Sequence, residues 1–143
     1  MIKYLQDLWI ILKEGGILIF SKSREVITHD QYLGGLVSAF FHFSEIALEE
    51  SLIQFTTNKL QYKIITKRNI LFVGGFKRSA KGKKSLRKLI LIAEKFVELY
   101  PKKIIDQWDH NLNAFIGFNE ILKPKSEIMG GYIESMWNHG SRA

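Results

Sequence analysis

Leu8-Trp9-Ile10-Ile11-Leu12-Lys13-Glu14-Gly15-Gly16-Ile17-Leu18-Ile19-Phe20 is the stretch that decides how this chain folds. Two apolar runs flank Lys13-Glu14-Gly15-Gly16, each too short for an independent helix and rich in β-branched and aromatic side chains. The Gly-Gly pair permits positive φ without a Cβ clash, so the stretch reads as a β-hairpin. Neither run alternates apolar with polar residues. Such a hairpin is covered on both faces, as in a sheet with helices on either side.

On its N-terminal side, Met1 to Asp7 leads straight into the first strand, with an acidic residue and no small-residue cleavage site, and so does not read as a signal peptide. On the other side, Ser21 to Glu25 is a polar loop. Thr28 and Gln31 suit a capping box, with Asp30 as the rival N-cap, and open a helix reaching Glu50. Leu33, Leu36, Val37, Phe40, Phe41, Phe43, Ala47 and Leu48 give it a wide apolar face. Gly34 and Gly35 each cost about 1 kcal/mol relative to Ala, so close packing is expected there.

Three short strands follow. Ile53, Phe55 and Thr57 alternate with polar residues, as do Leu60, Tyr62 and Ile64, with turns at Asn58-Lys59 and Arg68-Asn69. Ile70-Leu71-Phe72-Val73 is apolar on both faces and belongs at the sheet centre beside Trp9–Leu12. Continuity inside and alternation outside order the antiparallel sheet 2-1-5-4-3. A second amphipathic helix carries Leu86, Leu89, Ile90, Ala93, Phe96, Val97 and Tyr100. Pro101 ends it and can open a third, with Ile104, Ile105, Trp108, Leu112, Phe115, Ile116 and Leu122 on one face and Phe118 on a flank. The expected fold is therefore an α/β (α+β) three-layer sandwich, the Thr28–Glu50 helix on one face and the Lys84–Leu122 helices on the other. Lys123-Pro124-Lys125 bounds a domain of residues 1–122. The tail, 123–143, carries Met129, Tyr132, Ile133, Met136 and Trp137 at helical spacing, interrupted by Gly130-Gly131, and can form a short docked helix.

A chain of 143 residues with 46% hydrophobic content fits one domain with a sizeable core. The absence of cysteine excludes disulfides, thiolate zinc sites and a cysteine nucleophile, and favours a cytoplasmic setting. No apolar run approaches the roughly eighteen residues of a membrane span.

The order strand, strand, long helix, three-strand meander, two helices, opening with the Leu8–Phe20 stretch, resembles the longin domain, most of all the stand-alone longin proteins of archaea. The resemblance covers about Leu8 to Leu122. It implies a five-stranded antiparallel sheet with one helix on one face and two on the other, and a binding module with no catalytic residues or cofactor. It also implies partners such as small GTPases or other longin or roadblock proteins in a trafficking-like system. Residues 123–143 have neither the long heptad repeat nor the membrane anchor of the SNARE members, which argues against a fusogenic role. The roadblock domain, a structural cousin, usually places a helix before its first strand.

Lys77-Arg78-Ser79-Ala80-Lys81-Gly82-Lys83-Lys84-Ser85 follows a strand and precedes a helix, as a phosphate loop would. The spacing fails: the position five before Gly82 is Lys77, and Gly82-Lys83 is followed by Lys84 rather than Ser or Thr. The chain has 21 basic and 14 acidic residues, a net charge of +7, and Lys77, Arg78, Lys81, Lys83, Lys84, Arg87 and Lys88 fall in one segment with no acid. That segment reads first as a solvated loop, next as a site for an acidic protein or a peripheral anionic membrane. Nucleic acid ranks last, because no aromatic or glycine pattern accompanies the charge. His29, His42, His110 and His139 lack metal-ligand spacing. Asp106 and His110, four apart, suit a helix-surface pair rather than acid–base catalysis. A small enzyme with an unrecognised site is the alternative to a binding module. Finally, Ile17, Leu18, Ile19 and Phe20 fall on an edge strand without a charge, and such edges are normally blunted or covered. The expected cover is a longin–longin homo- or heterodimer, or the tail.

Overall fold

The computed structural model of the protein describes residues 5–22, 30–49, 53–109, 111 and 113–122, with side chains of the first helix from Gly35 onward. The elements run β1 (Leu5–Leu12), β2 (Ile17–Lys22), α1 (Asp30–Ala47), β3 (Gln54–Thr56), β4 (Leu60–Lys67), β5 (Ile70–Lys77), α2 (Gly82–Leu99), α3 (Lys102–Asp106) and α4 (Phe118–Ile121). The five strands form one antiparallel sheet in the expected order, β2-β1-β5-β4-β3. Both hairpin turns have positive φ: Gly15 and Gly16 of 80° and 62°, which glycine adopts freely, and Arg68 and Asn69 of 54° and 61°, which suits Asn better than Arg. The Lys13 amide donates to the Asn69 carbonyl at 2.9 Å, tying the two turns together.

β1 pairs with β5 from Leu12↔Ile70 to Leu5↔Phe76, and both strands are buried on both faces, as continuous apolar runs require. Their side chains sort by alternation into two clusters on opposite sides of the sheet. Trp9, Ile11, Leu71 and Val73 pack with Val37 and Phe41 of α1. Leu8, Ile10, Ile70 and Phe72 pack with Leu89, Ile92, Ala93 and Phe96 of α2 and with Phe115, Phe118 and Leu122. Phe96 is the hub of the second cluster, its ring 5.2 to 5.7 Å from those of Phe72, Phe115 and Phe118.

Four expectations need correction. The third helix is broken into α3, a run of turns and α4, because Asp109, Asn111 and Asn113 divert the backbone. Asp109 Oδ1 accepts from the Asn111 amide at 3.0 Å, and Asn111 Oδ1 accepts from the Asn113 amide at 2.9 Å. Such side-chain turns compete with helical hydrogen bonds. Phe118, expected on a flank, is fully buried, whereas Ile104 and Ile116 are exposed. Strands β1 and β5 are longer than the apolar runs, β1 starting at Leu5 and β5 continuing through Gly74-Gly75 to Lys77. Close packing at Gly35 is not seen among the described residues, where a Cβ would meet nothing within 4 Å. At the β2 edge, Leu18, Ile19 and Phe20 are buried and Ile17 is half-buried. Ile10 pairs with Phe20 and Ile11 with Leu18, leaving Ile19 as the extra residue of a β-bulge, a device that blunts an edge. Thr28, Glu50, Leu112 and 123–143 lie outside the described residues.

Deleting the hub ring should cost far more than deleting an exposed side chain. Phe96→Ala is expected to lower unfolding free energy by about 3–5 kcal/mol, and Ile104→Ala by no more than about 0.5 kcal/mol, both read from urea titrations. A Phe96→Ala loss as small as that of Ile104→Ala would contradict the packing described.

Candidate functional site

Helix α1 places its polar and apolar residues the opposite way round from a solvated surface helix. Ser38, His42 and Glu45, one stripe at four- and three-residue steps, turn toward the β1–β2 turn and gather around Lys13. Ser38 Oγ donates to the Lys13 carbonyl at 2.9 Å, and His42 Nε2 lies 3.1 Å from the same oxygen. The Lys13 ammonium reaches Glu45 Oε1 at 3.3 Å and lies 5.1 Å from the centre of the Phe41 ring. With that stripe turned inward, Leu36, Phe40, Phe43, Ile46 and Leu48 are left between 52 and 79% exposed. Of the apolar face expected to pack, Val37 and Phe41 alone are buried among the described side chains.

Between this exposed stripe and strands β3 and β4 runs a groove of about 540 Å³, walled by Leu36, Phe40, Phe43 and Leu48 and floored by Trp9, Tyr62 and Phe55. The floor is a stack of three rings. Trp9 and Tyr62 lie 5.1 Å apart at 23°, Tyr62 and Phe55 4.7 Å apart at 13°. Tyr62 is anchored by its hydroxyl, which donates to buried Asp7 Oδ2 at 2.8 Å. Gly75 makes room for the ring, since a Cβ there would sit 2.7 Å from Tyr62 Cε1 and 3.2 Å from Asp7 Cβ. Trp9 Nε1 is buried without a hydrogen-bond partner among the described residues. Among the described residues the polar side chains lining the groove besides Trp9 and Tyr62 are those of Ser44 and Thr57, so the lining suits apolar side chains.

The basic segment gathers at the opposite side of the β3–β4 edge. Lys77, Arg78, Lys81, Lys83 and Lys84 are exposed and Arg87 and Lys88 half-buried. Lys63 of β4 joins them, its ammonium 3.5 Å from where a Cβ on Gly82 would sit and 2.8 Å from Gln54 Oε1. Helix α2 starts here with no side-chain cap and no acid in its first turn, so the positive end of its dipole adds to the field. Cationic side chains at that end are unfavourable for the helix and favourable only toward an anion.

Other expected pairings are not brought together. Asp106 pairs with Lys102, one turn away on α3, and His29, His110 and His139 lie outside the described residues. Among the described residues no group of three His, Asp or Glu side chains could hold a metal ion, and no helix is long and apolar enough to cross a membrane. A smaller cleft of about 240 Å³ is lined by Glu14, Arg68, Tyr100, Lys102 and Asp106 among others. Burial raises the Tyr100 phenol above its usual value of 10.0, so the fold favours the neutral ring. Its stabilisation is complete below that value and lost as pH rises past it. Unfolding titrations on either side of pH 10 should show that loss, and Tyr100→Phe should flatten part of it; an unchanged slope would remove Tyr100 as a contributor.

The sequence reading singled out the basic segment but missed the groove. A signal was present: the apolar positions of α1 occupy more than half its circumference, while Ser38, His42 and Glu45 make a narrow polar stripe. No protein-family model matches the chain, and no curated protein is significantly similar to it.

Gly75→Ala tests the floor. Forcing a methyl against Tyr62 should cost about 1–3 kcal/mol and change the near-ultraviolet circular dichroism of the stacked rings. A variant as stable as the parent with an unchanged aromatic signal would show that the ring stack does not depend on this glycine.

Proposed function

We propose that the chain is a non-catalytic protein-interaction module of longin type, scaffolding small GTPases or other longin or roadblock proteins. The apolar groove between α1 and the β3–β4 hairpin carries this reading. It is a surface of aromatic and aliphatic anchors with few polar groups, the composition of a contact that buries side chains of a partner. The longin resemblance of the element order, and the sheet order 2-1-5-4-3 that it shares, support the same class. The cationic corner across the β3–β4 edge favours a partner with an acidic surface beside its apolar anchor, and gives a peripheral anionic membrane as the second reading.

Capture from native cell extract tests it. The tagged chain should retain a GTPase or a longin or roadblock protein, and Phe40→Glu should abolish that retention. Exchanging Lys81, Lys83 and Lys84 for Glu should weaken it with no loss of melting temperature, since acids at the positive end of α2 favour the helix. Binding through the corner should also fall steeply with salt, since exposed charges are screened beyond about 8–10 Å at physiological ionic strength. Turnover of a nucleotide or an ester by the pure protein would overturn the reading in favour of an enzyme.

A further inference from the structure

We infer that the N-terminal half of α2, together with the β5–α2 connector and Lys63, is a docking surface for an anionic lipid bilayer, into which Leu86 and Ile90 insert. The inference rests on the second reading of the cationic corner. It adds to that reading the apolar residues that enter the bilayer and the side of the molecule that stays clear of it.

The charge comes first. From residue 51 to residue 93 the chain has eleven basic residues and no acid, and Glu94 and Glu98 then follow on the C-terminal half of α2. The fold gathers part of that excess at one corner. Lys77, Arg78, Lys81, Lys83 and Lys84 are exposed, and none is paired with a carboxylate among the described residues. Half-buried Lys63 joins them from β4, bonded to the Gln54 amide rather than to an acid. These cations repel one another and the positive end of the α2 dipole, and an opposing field of negative charge relieves both.

The apolar side chains beside them decide what carries the negative charge. Leu86 and Ile90 are 40 and 38% exposed, and Lys83, Leu86, Arg87 and Ile90 share one side of α2 at three- and four-residue steps. Aliphatic residues set among cations on one helix suit a bilayer interface, where charged heads reach the lipid headgroups and apolar side chains reach the acyl boundary. A nucleic-acid backbone leaves Leu86 and Ile90 without a partner. A folded acidic protein is matched less well, because protein interfaces favour Arg over Lys and five of the six corner cations are Lys. Lysine is a mobile point charge, suited to the diffuse negative surface of a fluid membrane. Confined to the first half of α2, the cations bring that helix to the bilayer N-terminus first and leave Glu94 and Glu98 on the water side. Helix α1 packs on the opposite side of the sheet from α2, so the apolar groove stays open to a protein while the chain is docked.

Sedimentation of the full chain with vesicles tests the surface. The chain should pellet with phosphatidylcholine vesicles that contain phosphatidylglycerol and stay in solution with phosphatidylcholine alone. Because a lysine beside an anionic membrane contributes about fivefold in affinity, exchanging Lys81, Lys83 and Lys84 for Glu should weaken binding by about a hundredfold or more. Lys103→Glu, at an exposed position of α3, should leave it nearly unchanged. The chain has no cysteine, so Leu86→Cys and Glu98→Cys can each carry a polarity-sensitive dye. Emission from the dye at position 86 should shift to the blue with anionic vesicles, and emission from position 98 should not. Equal binding to neutral vesicles, binding that survives the triple charge reversal, or a dye at position 86 that stays in water while the chain is bound would overturn the inference. A parent that ignores vesicles but binds duplex DNA or a polyglutamate peptide would overturn it in favour of that partner. If the parent ignores vesicles yet retains a GTPase, membrane docking fails while the interaction module stands. Binding to anionic vesicles by a chain that also turns over a nucleotide would do the reverse.

Discussion

The ladder joining β1 to β5 places everything else in the molecule. Both strands are buried on both faces, so successive side chains must be apolar and must go to opposite clusters. Trp9 and Val73 therefore meet α1, while Ile10 and Phe72 meet α2. A slip of one residue would exchange the two sets and put aromatic rings where the α2 cluster is closed. The same ladder brings Asp7 opposite Gly75, and β4, paired on the other side of β5, brings Tyr62 opposite the same glycine. Three strands thus converge on one point, where a glycine, a carboxylate and a phenol hold the floor of the groove.

The orientation of α1 is the second consequence. Lys13 sits in the β1–β2 turn with its carbonyl and ammonium both facing the helix, and Ser38, His42 and Glu45 satisfy them. Neutral hydrogen bonds contribute about 0.5–1.5 kcal/mol each when made, and a buried group left unmade costs about 1–3 kcal/mol. The polar stripe is accordingly held inward, and the aromatic residues it displaces face outward. Leaving Phe40, Phe43 and Ile46 in water is unfavourable for the isolated chain.

The apolar groove and the cationic corner lie on opposite sides of the β3–β4 edge and differ in how they act. Apolar burial is short-ranged and insensitive to salt, so it sets how long a partner stays. Charge on an exposed corner reaches about a Debye length and sets how fast and in what orientation a partner arrives. A protein with an apolar anchor and an acidic flank would use both.

Local chemistry in the sequence determined most of the sheet. The Gly15-Gly16 and Arg68-Asn69 turns, the alternation of β4 and the unbroken apolar runs of β1 and β5 depend on residues a few positions apart, and they suffice for the order 2-1-5-4-3. The broken third helix was also written locally, in Asp109-x-Asn111-x-Asn113, but the apolar periodicity of the same segment pointed the other way. What only the tertiary structure decided is which side of α1 faces the sheet. Apolar residues surround most of that helix, so periodicity alone does not choose a face, and the choice falls to a lysine 25 residues earlier than Ser38. The Asp7–Tyr62 bond spans 55 residues and the glycine that admits it sits on a third strand, so no window of sequence contains the groove. It exists because the strand ladder brings those residues to one place.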